Sequence, residues 1–128
     1  MKRSQKKALI WIVGVILVLS GGIFMLFWGA TRPAPLDNFA KCIKDSGTKL
    51  YATFWCPVCA KQKAMFGRSK RFLPYIECST PDRKGQTENC KTAGIKAYPT
   101  WEFAGGERVT GSQELEFLAE KTSCELPK

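Results

Sequence analysis

Two cysteines separated by two residues, Cys56 and Cys59, are the part of this 128-residue chain best suited to chemistry. The segment Cys56-Pro57-Val58-Cys59 follows an apolar stretch that predicts a strand, and Pro57 is typical of the first position of a helix. The free N–H groups at a helix start stabilise a thiolate, which is the nucleophilic form of cysteine. We therefore expect Cys56 to form a mixed disulfide with a substrate, and Cys59, the less accessible thiol, to resolve it.

Two other uses of such a pair have to be weighed. A zinc site needs four ligands, and the chain contains neither a histidine nor a second C-x-x-C pair. A purely structural disulfide between Cys56 and Cys59 would close a very short loop, which constrains the unfolded chain little. The spacing favours redox chemistry, and we expect no metal and no other cofactor.

Composition excludes several further classes of site. Without histidine the chain cannot form a Ser-His-Asp triad, a Cys-His dyad or a histidine-ligated metal centre. A net charge of +9 is often a sign of nucleic-acid binding. Here, however, Lys2, Arg3, Lys6 and Lys7 directly precede a hydrophobic run, and all eleven acidic residues lie from Asp37 onward. This arrangement predicts a membrane segment with a basic flank and no nucleic-acid partner.

The hydrophobic run, residues 8–29, contains 22 residues and no charge. At about 1.5 Å per residue it is long enough to cross a hydrocarbon core of about 30 Å. A cleaved signal peptide has an apolar region of only about 7–15 residues, so length favours an uncleaved single-pass anchor, with cleavage near Ala30 as the alternative. The positive-inside rule then predicts that residues 1–7 are cytoplasmic and that the rest lies outside, in the periplasm or at the cell exterior. There, cysteines meet an oxidising environment.

The remaining residues predict a single small domain that positions the cysteine pair. Residues 30–35 contain two prolines and predict a linker, residues 36–124 predict the domain, and residues 125–128 form a tail. Helical spacing of apolar residues from Leu36 to Ile43 predicts an opening helix that ends at Ser46-Gly47. A strand is predicted at residues 49–54, a helix at 57–66, a second strand at 73–78 and a loop at 79–89. A two-stranded hairpin, 98–103 with 107–110, and a last helix from about residue 112 follow. This order predicts an α/β domain with a mixed sheet.

Several motifs beyond the cysteine pair follow one another in a family-specific order. They are Phe54–Cys59, Lys61–Gly67, Leu73–Ser79, Cys90, Gly94-Ile95, Tyr98–Glu102, Gly105-Gly106 and Gly111. With them the chain resembles a thioredoxin-fold domain, most closely the thioredoxin-like domain found with bacterial vitamin K epoxide reductase homologues. The resemblance covers residues 36–124 and excludes the anchor. It implies a thioredoxin-like fold, with a mixed central sheet flanked by helices, after one transmembrane helix.

The resemblance also implies roles for residues around the cysteine pair. Pro99 is expected to follow a cis peptide bond in a loop that faces the reactive sulfur, and the backbone of Tyr98 to pair with an extended substrate segment. Trp55 and Pro57 are expected to support the active site. Many thioredoxins have a buried carboxylate six residues before the first cysteine, where this chain has Leu50. Another group or water must then handle the proton.

The four other cysteines allow three pairings once Cys56 and Cys59 are set aside. The resemblance implies a disulfide between Cys78 and Cys90, and we expect the other, Cys42–Cys124, to tie the opening helix to the chain end. Both are expected to be structural, with an electron relay through Cys78–Cys90 as a less favoured role.

The function expected from these features is that of a membrane-anchored thiol–disulfide oxidoreductase outside the cytoplasm. It would oxidise cysteine-containing exported proteins and be reoxidised by a membrane quinone reductase similar to the vitamin K epoxide reductase homologues. The alternatives are a reductant or isomerase of the cytochrome c maturation type, and a non-catalytic binding module stabilised by disulfides. Reduction potential decides between the first two, and the sequence does not reveal it.

Overall fold

A computed structural model describes residues 2–128, and the chain divides into two units, of which the second begins at Ala34. The first unit contains one helix, α1 (Arg3–Thr31), with no buried residue. By length and composition this 29-residue helix could cross a membrane. It extends past the apolar run of residues 8–29 at both ends, since the flanking residues 3–7 include lysine, arginine and glutamine, which are good helix formers.

The second unit contains four helices, one 3₁₀ helix and four strands. In chain order they are α2 (Asp37–Asp45), β1 (Lys49–Ala52), α3 (Pro57–Met65), the 3₁₀ helix (Gly67–Phe72), β2 (Tyr75–Glu77), α4 (Glu88–Thr92), β3 (Thr100–Glu102), β4 (Arg108–Thr110) and α5 (Leu115–Thr122). The strands form one sheet in the order β2-β1-β3-β4. β1 pairs parallel to β2 and antiparallel to β3, and β4 completes a hairpin with β3.

This mixed four-stranded sheet flanked by helices confirms the predicted fold class, a thioredoxin-like fold after one apolar helix. The parallel β1–β2 pair requires a crossover connection, which α3 and the 3₁₀ helix provide. Because α3 begins directly after the turn that follows β1, the start of the helix lies at the carboxyl end of a central strand.

The two faces of the sheet pack against separate clusters of buried side chains. Leu50 and Ala52 point into the larger cluster, which also contains Cys56 and Cys59. Tyr51 points the other way, into a smaller cluster that holds the Cys78–Cys90 disulfide. The alternation follows from the two-residue period of a strand, and it places the cysteine pair and the Cys78–Cys90 disulfide on opposite faces.

Several sequence-based boundaries differ from the structure. Every predicted strand is shorter in the structure at one or both ends. Phe54, which the predicted strand 49–54 included, is 46% exposed because it lies in the turn beyond β1. The loop expected over residues 79–89 ends earlier, since α4 starts at Glu88, and the 3₁₀ helix was not predicted. The last helix begins at Leu115 and not near Ser112. Runs of five or six residues are too short for a periodic signal.

Parts of the predicted linker and tail make contacts within the second unit. The expected linker starts inside α1, and Ala34 is buried, with its N–H donating to Asp37 at 2.9 Å. The same carboxylate binds Arg71 of the 3₁₀ helix at 2.8 Å. In the tail, Leu126 packs against the larger cluster. The folded unit therefore includes residues on both sides of the expected 36–124 domain.

Candidate active site

The cysteine pair lies at the first turn of α3. Cys56 is the N-cap residue, Pro57 occupies the first helical position, and the backbone N–H of Cys59 donates to Cys56 Sγ at 3.3 Å. This contact satisfies one of the N–H groups that a helix start leaves free and directs it at the sulfur where a thiolate would form. Both thiols are free, so the structure shows the reduced pair.

The two thiols differ in accessibility. Cys56 is 8% exposed and Cys59 only 1%, so a substrate disulfide or thiol reaches Cys56 first. Burial, and secondly a hydrogen bond with Cys56, raise the pKa of Cys59 to about 12, from an ordinary value of 9.0. At neutral pH Cys59 is therefore a thiol, and it has to lose a proton before it can attack.

The loop before β3 faces the reactive sulfur. The peptide bond between Tyr98 and Pro99 is cis, and the Cys56 thiol points at the carbonyl oxygen of Tyr98 at 3.9 Å. The hydroxyl of Tyr98 accepts a hydrogen bond from Gln86 Nε2 at 2.7 Å, and the same amide group donates to the carbonyl of Ile95. These two hydrogen bonds from Gln86 hold the loop in place, a role that the sequence did not indicate.

An exposed apolar surface surrounds Cys56. Phe54, Trp55 and Val58 are each between 43% and 46% exposed, and exposed apolar side chains grouped together often mark an interaction site. The indole N–H of Trp55 donates to Ser79 Oγ at 2.8 Å, and the guanidinium of Arg83 lies 5.3 Å from the centre of the Phe54 ring. The surface is therefore fixed in orientation, and it can take an apolar segment of a partner beside the reactive sulfur.

A buried glutamine fixes the active-site helix to the sheet. Gln62 of α3 is fully buried, and its Oε1 accepts the indole N–H of Trp101 at 3.1 Å and the backbone N–H of Gln113 at 2.6 Å. Its Nε2 donates to the carbonyl of Gln113 at 3.1 Å. The hydrogen bonds to Trp101 and Gln113 join groups 39 and 51 positions apart, so nothing in the sequence marked Gln62 as a positioning residue.

The other four cysteines form two disulfides in this structure, Cys42–Cys124 and Cys78–Cys90. Cys42–Cys124 joins α2 to the second residue after α5, and Cys78–Cys90 joins the residue after β2 to α4. Within residues 2–128, no group of three or more cysteine, aspartate or glutamate side chains is placed to hold a metal ion.

Comparison with known proteins is consistent with the geometry of the cysteine pair. No family model matches the chain. The thiol-disulfide oxidoreductase LTO1 of Arabidopsis thaliana is 38% identical over 91 residues, which cover 68% of this chain and 24% of the relative. The chain is similar to part of a thiol–disulfide oxidoreductase. Because the match spans about a quarter of the relative's length, the activity of the whole relative does not transfer with it.

Proposed function

We propose that this protein is a membrane-anchored thiol–disulfide oxidoreductase that acts outside the cytoplasm. The observation that carries the proposal is the free Cys56–Cys59 pair at the start of α3, with one accessible and one buried thiol. The similarity to a protein named as a thiol-disulfide oxidoreductase supports the same chemistry. The apolar run of α1 and the basic residues before that run support an anchor with a cytoplasmic N-terminus.

In the proposed reaction the oxidised pair transfers its disulfide to an exported protein. A substrate thiolate attacks Cys56, the Cys56–Cys59 bond breaks, and Cys59 leaves as a thiolate that takes up a proton. A second substrate thiol then attacks the mixed disulfide, which releases Cys56 and leaves the substrate oxidised. Two electrons and two protons have passed to the cysteine pair.

A membrane quinone reductase of the vitamin K epoxide reductase type would complete the cycle by accepting these electrons from Cys56 and Cys59. The resemblance of residues 36–124 to domains found with such enzymes supports this partner. An anchor supports it as well, because tethering both proteins to one membrane raises their effective concentration.

The experiment that tests the proposal is disulfide trapping in intact cells. The full chain carrying Cys59→Ser keeps the attacking thiol but cannot resolve a mixed disulfide, so it should accumulate reductant-sensitive complexes with exported proteins and with a membrane protein. The matched control, Cys56→Ser, should trap neither. Equal trapping by both variants, or by neither, would contradict the proposal and favour a non-catalytic binding module.

The reduction potential of the Cys56–Cys59 pair, measured against glutathione, determines the direction of electron flow. A value well above about −200 mV supports the oxidase, whereas a value near about −270 mV supports the alternative, a reductant or isomerase of the same fold. Only the first outcome is compatible with quinone-linked oxidation of exported proteins.

A further inference from the structure

Cys59 needs a partner for its proton, whichever way the electrons flow. As a nucleophile it has to lose a proton, and as a leaving group it has to gain one. It is 1% exposed, so bulk water does not reach it readily. The proton must therefore be exchanged with a side chain that lies on the same face of the sheet.

The neighbouring strand β2 brings two polar side chains to that face. Tyr75 pairs in register with Leu50 and Glu77 with Ala52, and both β1 residues belong to the buried cluster that contains Cys56 and Cys59. Tyr75 itself packs against this cluster. Because the side-chain period of a strand is two residues, Glu77 points to the same side as Tyr75.

Tyr75 and Glu77 are joined in a single hydrogen-bonded unit. The Tyr75 hydroxyl donates a hydrogen bond to Glu77 Oε2, and the backbone N–H of Ser79 donates to Glu77 Oε1 at 2.8 Å. Ser79 Oγ in turn accepts the indole N–H of Trp55, the residue before Cys56. Both carboxylate oxygens are engaged, so Glu77 is held in place, and its partial exposure gives a proton a route to solvent.

The electrostatic environment links this unit to the thiols. Burial raises the pKa of Tyr75, as do the hydrogen bond and charge of Glu77 and, to a smaller extent, the charges of Cys59 and Cys56. The Lys63 ammonium lies 4.8 Å from the centre of the Tyr75 ring. Its positive charge lowers the pKa of Cys59, whereas burial raises it. From β1 this face receives only apolar side chains, Leu50 and Ala52.

We propose that Tyr75 and Glu77 together exchange the proton of Cys59 during disulfide transfer, an inference that rests on the proposed function. When Cys59 attacks the mixed disulfide at Cys56, its proton passes to the Tyr75 hydroxyl oxygen while the hydroxyl proton of Tyr75 passes to Glu77. The Cys56–Cys59 bond forms, the bond from Cys56 to the substrate sulfur breaks, and the substrate leaves as a thiolate. Glu77 then releases the proton to water. In the reverse direction each transfer is reversed, so the departing Cys59 thiolate takes up its proton from Tyr75.

A single-turnover reaction separates the two thiols. The reduced full chain in mild detergent is mixed with an aromatic disulfide whose released thiolate is coloured. Attack by Cys56 releases the first equivalent, and attack by Cys59 on the resulting mixed disulfide releases the second. The first phase therefore reports whether the site is intact, and the second reports the proton transfer at Cys59.

Glu77→Gln keeps the size and the acceptor for Ser79 but cannot take up a proton, and Tyr75→Phe keeps the ring but removes the hydroxyl. Near neutral pH each should slow the second phase by about 100-fold, the lower end of what general acid–base catalysis contributes, and leave the first phase unchanged. Raising the pH should narrow the gap, because a larger fraction of Cys59 is then already a thiolate before the attack. A Glu116→Gln variant, which changes an exposed glutamate on α5, should match the wild type in both phases.

The outcomes distinguish this inference from the proposed function. Wild-type rates and an unchanged pH profile of the second phase in both Glu77→Gln and Tyr75→Phe would overturn the role of the pair, with the redox function intact. If the wild-type protein itself shows no second phase, the proposed function fails. Slowing of both phases in either variant would indicate a structural role and would also overturn the proton exchange.

Discussion

Removal of the Cys42–Cys124 disulfide is expected to destabilise the protein more than removal of Cys78–Cys90. The two bridges close loops of very different length, with sequence separations of 82 and 12 residues. Loop-closure entropy gives a stabilisation of about 4.5 kcal/mol for the longer loop and about 2.8 kcal/mol for the shorter one. The difference of about 1.7 kcal/mol corresponds to a roughly 18-fold change in the unfolding equilibrium.

The assay compares two double variants, Cys42→Ala with Cys124→Ala and Cys78→Ala with Cys90→Ala. Both are made in a chain that also carries Cys56→Ser and Cys59→Ser, so that no site thiol can exchange with a structural disulfide. Urea unfolding of the full chain in mild detergent can be followed through tryptophan fluorescence, because one of the four tryptophans, Trp101, is fully buried in the fold. Each variant loses two sulfur atoms from the fold, so the difference between them reports mainly the loop length.

The reasoning fails if the variant without Cys78–Cys90 is equally or more destabilised. Cys78 and Cys90 are both fully buried, whereas Cys42 is only partly buried, so such a result would mean that packing around the disulfide outweighs chain entropy. The Cys42–Cys124 bridge would then have a smaller part in holding α2 and the chain end together than its loop length indicates.

Two further predictions concern the buried residues of α3, Cys59 and Gln62. The pKa of Cys59 is about 12 in the folded protein and near 9.0 in the unfolded chain, so the unfolded state loses this proton first as the pH rises. The free energy of unfolding of the reduced protein should therefore be independent of Cys59 below about pH 8. It should fall as the pH rises from there toward about 11. Urea unfolding checks this against Cys59→Ala, and equal slopes with pH would contradict it. Replacement of Gln62 by Met should lower the free energy of unfolding by about 3 kcal/mol, since the indole N–H of Trp101 and the backbone N–H and carbonyl of Gln113 lose their partners. A loss under about 1 kcal/mol would show that water replaces the glutamine.

Local sequence signals predicted most of the elements but not their packing. Apolar periodicity predicted α2, and the cysteine pair with Pro57 marked the start of α3, because these signals depend on neighbouring residues. The Gly105-Gly106 segment likewise marked the hairpin of β3 and β4. The 3₁₀ helix and α4 were not recognised, because each is stabilised by contacts with distant residues, such as the Arg71–Asp37 ion pair and the disulfide at Cys90.

The sequence by itself determined the chemistry available to this protein. A chain without histidine, with Cys56 and Cys59 at a strand-to-helix transition and an uncharged run of 22 residues, predicts thiol chemistry beside a membrane. Only the tertiary structure decided which groups surround the thiols. Sheet register places Tyr75 and Glu77 on the face of the cysteine pair, and long-range hydrogen bonds bring Ser79 to Trp55 and Gln62 to Trp101. These contacts join residues 24 and 39 positions apart, and such proximity arises from the pairing of strands, which no local pattern of residues specifies.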